Sequence, residues 1–152
     1  MTRLPLAAAD MIAADGRSVG TVVLTQTPDG VRLALALRDL PPGEHGFHLH
    51  AVGKCEPPSF ASAGTHFNPE SKKHGFFARD GHHAGDMANI LVPPGGALST
   101  TLTNKKITLD RGKPNSVFQE GGTALIIHDK FDDYITDPIG NSGDRIACGV
   151  IK

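Results

Sequence analysis

The sequence predicts an all-β protein, an antiparallel sandwich or barrel in which helices are scarce. Glycine and proline are abundant, at 18 and 11, against seven phenylalanines, one tyrosine and no tryptophan. Apolar residues come in short runs of period two, and turn-forming dipeptides separate the runs.

Residues 4–13 and 19–26 read as strands around an Asp15-Gly16 turn, and after Asp29-Gly30 the residues Val31, Leu33, Leu35 and Leu37 alternate as a third strand. Pro41, Pro42 and Gly43 end that strand, and residues 45–51 form a fourth. On a strand, His48 and His50 project their imidazoles from one face while Phe47 and Leu49 point to the other. From Gly53 to Gly85 no periodicity appears. So long a loop in a compact domain is functional or disordered, and histidines spaced by eight and nine residues decide for function. Strands resume near 87–92 and 97–103, and 105–121 is a long connection with a short strand near 107–109. Residues 123–128 form a buried strand, and a second loop, 129–144, leads to the last one. No repeat, low-complexity tract or linker divides the chain, so residues 1–152 are expected to form a single domain.

A domain of this length buries a core large enough not to need metal merely to fold. Fifteen basic residues stand against 16 acidic ones with no basic block, which argues against a nucleic-acid or polyanion partner. No apolar run approaches the roughly 18 to 20 residues of a membrane-spanning helix. Pro5 and Asp10 interrupt any signal-peptide core in residues 1–14. The two cysteines, Cys55 and Cys148, are either separate thiols or one disulfide formed in an oxidising compartment.

Seven of the eight histidines lie between His45 and Asp86. With distant His128, the imidazoles of His48, His50, His66, His74 and His83 and the carboxylate of Asp86 exceed what one tetrahedral ion takes. Two nearby metals are the economical reading, and imidazole-rich ligation suits copper and zinc.

The segments GFHLH, AGTHFNP, KHG, HAGD, IIHDKFDD and GDRIACGVI stand in the order and spacing of copper-zinc superoxide dismutase, and the resemblance runs over almost the whole chain from residue 18. It implies an eight-stranded antiparallel Greek-key barrel or flattened sandwich with two long functional loops. It assigns His48, His50, His66 and His128 to copper and His66, His74, His83 and Asp86 to zinc, one ion of each per chain. His66 then bridges as an imidazolate, which two adjacent cations make accessible. Asp132 is implied to hydrogen-bond His48 and His74, fixing their rings. Arg145 is implied to guide an anion to the copper, and Cys55 to pair with Cys148. His45 is implied to be structural, while His82, Asp129 and Asp133 read as solvated.

The implied reaction is disproportionation of two superoxide anions to dioxygen and hydrogen peroxide, with His66 passing a proton. The loop DKFDDYITDPIGNSG after His128 resembles bacterial members of the family, so steering residues beyond Arg145 and the subunit interface stay open, and the chain is expected as a homodimer or a monomer. A disulfide fits an exported protein, periplasmic or secreted, whose signal has been removed. A copper-transfer module on the same scaffold should lack one of His50, His66, His128 or Arg145. A structural zinc domain leaves His48, His50 and His128 without a role.

Overall fold

The computed structural model describes residues 6–152. Its strands are β1 (Leu6–Ala13), β2 (Ser18–Thr27), β3 (Gly30–Leu37), β4 (Gly43–His45), β5 (Phe47–His50), β6 (Ile90–Val92), β7 (Leu98–Asn104), β8 (Ala124–His128) and β9 (Arg145–Val150). Seven of them form one curled antiparallel sheet in the order β5-β8-β9-β1-β2-β3-β7, and β4 pairs with β6 in a two-stranded ribbon. The first two residues expected in the opening strand, 4 and 5, lie outside the described residues.

Alternation in the sequence becomes alternation in burial. In β3, Val31, Leu33, Leu35 and Leu37 are buried and Arg32 and Ala36 are exposed; in β1, Ala7, Ala9 and Met11 are buried and Leu6, Ala8 and Asp10 are exposed. These faces close on a core that also holds Val22, Leu24, Phe47, Leu49, Leu125 and Ile127.

The strands β5 and β8 are buried at every position, which is why ALIIH reads as a continuous apolar run. Phe47 and Leu49, paired with Ile127 and Leu125, face the main core. The opposite face carries His48 and His50 above a smaller cluster of Phe60, Ala63, Ala124, Ile126 and Cys148. Two of the prospective ligands therefore stand on a strand whose inward phenylalanine and leucine are each worth about 1.5–3 kcal/mol of burial.

Two expectations about the strands need correction. The single strand expected over 45–51 is two, β4 and β5, in different sheets. At Gly46 the N–H donates to Lys130 O and the C=O accepts from His128 N, so its backbone leaves one ladder for another. A Cβ there would stand 2.9 Å from Ser142 Cβ, so only glycine fits the crossing. With this division the described residues carry nine named strands. Near 107–109 there is no strand, only an isolated bridge between Thr108 and Ser116, because no neighbour offers a longer ladder.

The long loop of residues 53–85 folds back on β5. Leu49 N donates to Gly85 O and Phe67 N to Leu49 O, while Ala51 N and Val52 N bind Thr65 O and Ala63 O. A disulfide joins Cys55 in this loop to Cys148 in β9, with Cα atoms 5.6 Å apart across 93 residues. On a chain-entropy account, closing a loop of that length removes about 4–5 kcal/mol of unfolded-state freedom.

Candidate metal centre

Four buried ring nitrogens have no partner among the described residues, His48 Nδ1, His50 Nε2, His66 Nε2 and His128 Nε2, and a fifth, His74 Nδ1, faces only the Asp86 carboxylate at 2.9 Å. The other nitrogen of each ring is tied to an acceptor, in His66 to Asp86 Oδ1. His48 Nε2 donates to Asp132 Oδ2 at 2.7 Å, His74 Nε2 to Asp132 Oδ1 at 2.8 Å, His50 Nδ1 to Gly64 O at 2.8 Å and His128 Nδ1 to Gly143 O at 3.0 Å. A neutral imidazole has one N–H, so in His48, His50, His66 and His128 these bonds fix the tautomer and leave the orphan nitrogen with a bare lone pair. Lone pairs gathered without a donor are costly unless a cation sits among them.

Four of the rings, His48, His50, His66 and His128, place ligating atoms within 4.8 Å of one another. Burial holds these rings neutral. It pushes the pKa of His48 down to about 3 and that of His128 to about 4, with repulsion from His66 adding to both, and it takes His50 well below the ordinary value. His66 is lowered as well, burial outweighing its bond to Asp86.

A second set lies beside the first. His66 Nδ1 is 3.2 Å from His83 Nδ1 and 3.0 Å from Asp86 Oδ1, which in turn is 3.2 Å from His83 Nδ1 and 2.9 Å from His74 Nδ1. A tetrahedral zinc site with bonds of about 2.0–2.1 Å has ligand-to-ligand edges of about 3.3 Å. The donor set fits zinc. His48, His66, His74 and Asp86 also gather within 4.8 Å, but His48 already gives Nε2 to Asp132 and its Nδ1 to the first set, so His83 completes the second.

Asp86 is held far below the carboxylate range: burial opposes its charge, but bonds from the three histidines and from Gly75 N overcome that cost. His74 goes the other way. Burial disfavours its cation, yet Asp132 and Asp86 raise its pKa to about 9, a proton that a bound cation displaces.

The loop 129–144 supplies the brace. Asp132 joins His48 and His74, accepts from Tyr134 N at 2.7 Å, and exchanges two backbone bonds with the Asn89 side chain, Asp132 N to Oδ1 at 2.8 Å and Asn89 Nδ2 to O at 2.9 Å. Gly140, at φ 67°, covers this carboxylate, where any Cβ would collide with Asp132 Oδ1 and His74. Arg145 is half-buried and donates Nη1 to Phe60 O and Nη2 to Gly64 O, each at 2.7 Å.

Outside both sets, His45 is buried between His128 O and Pro41 O. Asp129 is exposed. Asp133 is not merely solvated: its carboxylate accepts from Ile135 N and Thr136 N and shapes the turn. His82 is half-buried, its Nδ1 donating to His83 O at 2.7 Å. Asn89, Tyr134 and Gly140 were not foreseen; only the lone amide of Asn89 at the head of an apolar strand gave any signal.

A curled antiparallel sheet bearing two ligand sets fused through one ring defines a class of protein, the all-β two-metal enzymes. The chain belongs, within that class, to the copper-zinc superoxide dismutase family. The family model described as copper/zinc superoxide dismutase matches residues 18–151. The chain is 50% identical over 145 residues to Superoxide dismutase [Cu-Zn] 1 of Aquifex aeolicus, covering 95% of this chain and 86% of the relative. It matches a crystal structure of a SOD-like protein from Bacillus subtilis with TM-score 0.91 and 36% identity, over 94% of this chain and 96% of that one. It also matches the Cu/Zn superoxide dismutase from Brucella abortus with TM-score 0.80 and 28% identity, over 97% and 100%. Its reaction is the family's disproportionation of superoxide, and its metals are copper and zinc.

Proposed function

We propose that His48, His50, His66 and His128 hold copper, that His66, His74, His83 and Asp86 hold zinc, and that His66 serves both. The observation that carries this is the set of four buried ring nitrogens of His48, His50, His66 and His128 left without a partner, with the other nitrogen of His66 packed against His83 Nδ1 and Asp86 Oδ1 beside His74 Nδ1, so that the two shells are complete only when His66 is shared.

Bound copper supplies the one-electron couple that oxidises one superoxide to dioxygen and, with two protons, reduces a second to hydrogen peroxide. The chain's own residues organise that chemistry. Asp132 keeps His48 and His74 in the ligating tautomer by accepting from both Nε2 atoms. His66, its Nδ1 tied to Asp86, would carry a proton on Nε2 whenever copper does not occupy that atom, and from there could pass it to the departing peroxide. Arg145 carries a positive charge beside His50, whose pKa it helps to lower, so an anion approaching the copper set meets a guanidinium. The Cys55–Cys148 bond supports an oxidising location, periplasmic or secreted.

The test is metal analysis of purified protein with variants. One copper and one zinc per chain are expected in the wild type; His128→Ala should lose copper and keep zinc, and His83→Ala the reverse. Full superoxide turnover with zinc alone would overturn the assignment.

A further inference from the structure

The side chains around His83 show an arrangement that ligation alone does not require. Each of the other proposed ligand histidines has its second ring nitrogen fixed by Asp132, by a carbonyl or, for His66, by the second ligand set. The Nε2 of His83 makes no hydrogen bond among the described residues, so no bond from that edge sets its ring. Its backbone is held instead. Three consecutive carbonyls, those of residues 82, 83 and 84, each accept from a side chain: Lys106 Nζ to His82 O at 3.1 Å, His82 Nδ1 to His83 O at 2.7 Å and Asn104 Nδ2 to Ala84 O at 2.7 Å.

The donors are themselves anchored. Asn104 is buried at the end of β7, pairs with Val31 of β3, and accepts from Lys106 N through Oδ1 at 2.8 Å. Asn115 Nδ2 donates to Lys106 O at 2.9 Å. The His82 ring stands edge-on to Phe76, centroids 4.7 Å apart. The rigid β3–β7 ladder thus reaches out of the sheet and grips the chain on both sides of one ligand.

We propose that Lys106, His82 and Asn104 are positioning residues for the zinc site, acting through the backbone of His83 in place of a bond to its ring. The proposal rests on His83 being a zinc ligand. It gives His82 a role that its place beside His83 conceals in the sequence: a tether to the neighbouring carbonyl. Partners bonded to a ligand ring affect metal affinity by about 10–100-fold, and a hold through the backbone is expected at the lower end of that range.

The experiment uses the copper-loaded protein, with zinc affinity measured by chelator competition and the ligand geometry read from the visible spectrum of cobalt in the zinc position. Lys106→Met and His82→Phe keep the bulk and lose the donor. Each should weaken zinc binding about tenfold and shift the cobalt bands, with the copper electron-spin spectrum unchanged and Lys106→Arg near wild type. A role confined to folding would instead lower the unfolding midpoint and leave the cobalt bands in place, which overturns the proposal. So does wild-type zinc affinity in both donor-free variants, with the metal assignment intact. His83→Ala separates the two levels: wild-type zinc affinity there would remove His83 from the site, and the clamp's purpose with it.

Discussion

Removing the metals and lowering the pH from 7 to about 5 should destabilise the protein, by an amount the site itself sets. His48 and His128 have an ordinary pKa of 6.5 when unfolded and fall to about 3 and about 4 in the fold, chiefly through burial. Below 6.5 the unfolded chain therefore binds protons that the folded chain refuses, and stability drops as the pH falls. By about pH 5 the loss is on the order of 2 kcal/mol for each ring. His50 and His66, lowered as well, act in the same direction. His74 opposes them. Its pKa is raised to about 9, so its stabilisation is complete only below 6.5 and is lost as the pH rises through 9; over this interval it returns less than about 1 kcal/mol. Asp86 and Asp132 are depressed carboxylates, whose contribution fades only below their unfolded pKa of 3.8, so they are silent here. The net loss is about 3 kcal/mol or more, or roughly 6–12 °C of unfolding midpoint for a chain of this size. Calorimetry of disulfide-intact, metal-free protein at the two pH values measures it. A midpoint unchanged or higher at pH 5 would refute the view that these imidazoles are held neutral.

Arg145→Glu should slow superoxide turnover by about tenfold or more, Arg145→Lys should fall between, and added salt should slow the wild type; superoxide dismutases are themselves a known case of such steering. Wild-type rates in Arg145→Glu at full copper occupancy would remove the guiding role. Gly140→Ala puts a methyl where the Asp132 and His74 bond passes, so zinc affinity measured by chelator competition should fall about 10–100-fold while the copper spectrum changes less; equal affinity would show that the loop gives way freely. Cys55→Ser with Cys148→Ser should lower stability by about 2–5 kcal/mol in denaturant titration, and a smaller loss would show that the hydrogen bonds from 51 and 52 to the loop suffice without it.

The strands legible in the sequence were those with one face in the core and, in β8, an unbroken apolar run. Val31 to Leu37 needs only period-two burial to be read. The Gly46 break was hidden, because GEHGFHLH looks continuous and the bonds that divide it come from Lys130 and His128, more than 80 residues on. The prospective ligands were legible because imidazoles at set intervals are rare by chance. Their supports were not: an asparagine such as Asn89 or Asn104 carries no period, and only the fold puts it opposite a carbonyl. His82 was misjudged as solvated because adjacent residues in a loop give no cue to which one turns back on the chain.

The carbonyl of Gly64 accepts from both His50 Nδ1 and Arg145 Nη2. A carbonyl oxygen has two lone pairs, so both are engaged and no water need intervene. The ring offered to copper and the cation proposed to meet the incoming anion are thus referenced to one atom. When the segment around residues 60–64 shifts, both groups are carried with it, and their errors of position are correlated. The spacing between them is then steadier than the place of either, so a segment outside the sheet can fix a short working distance.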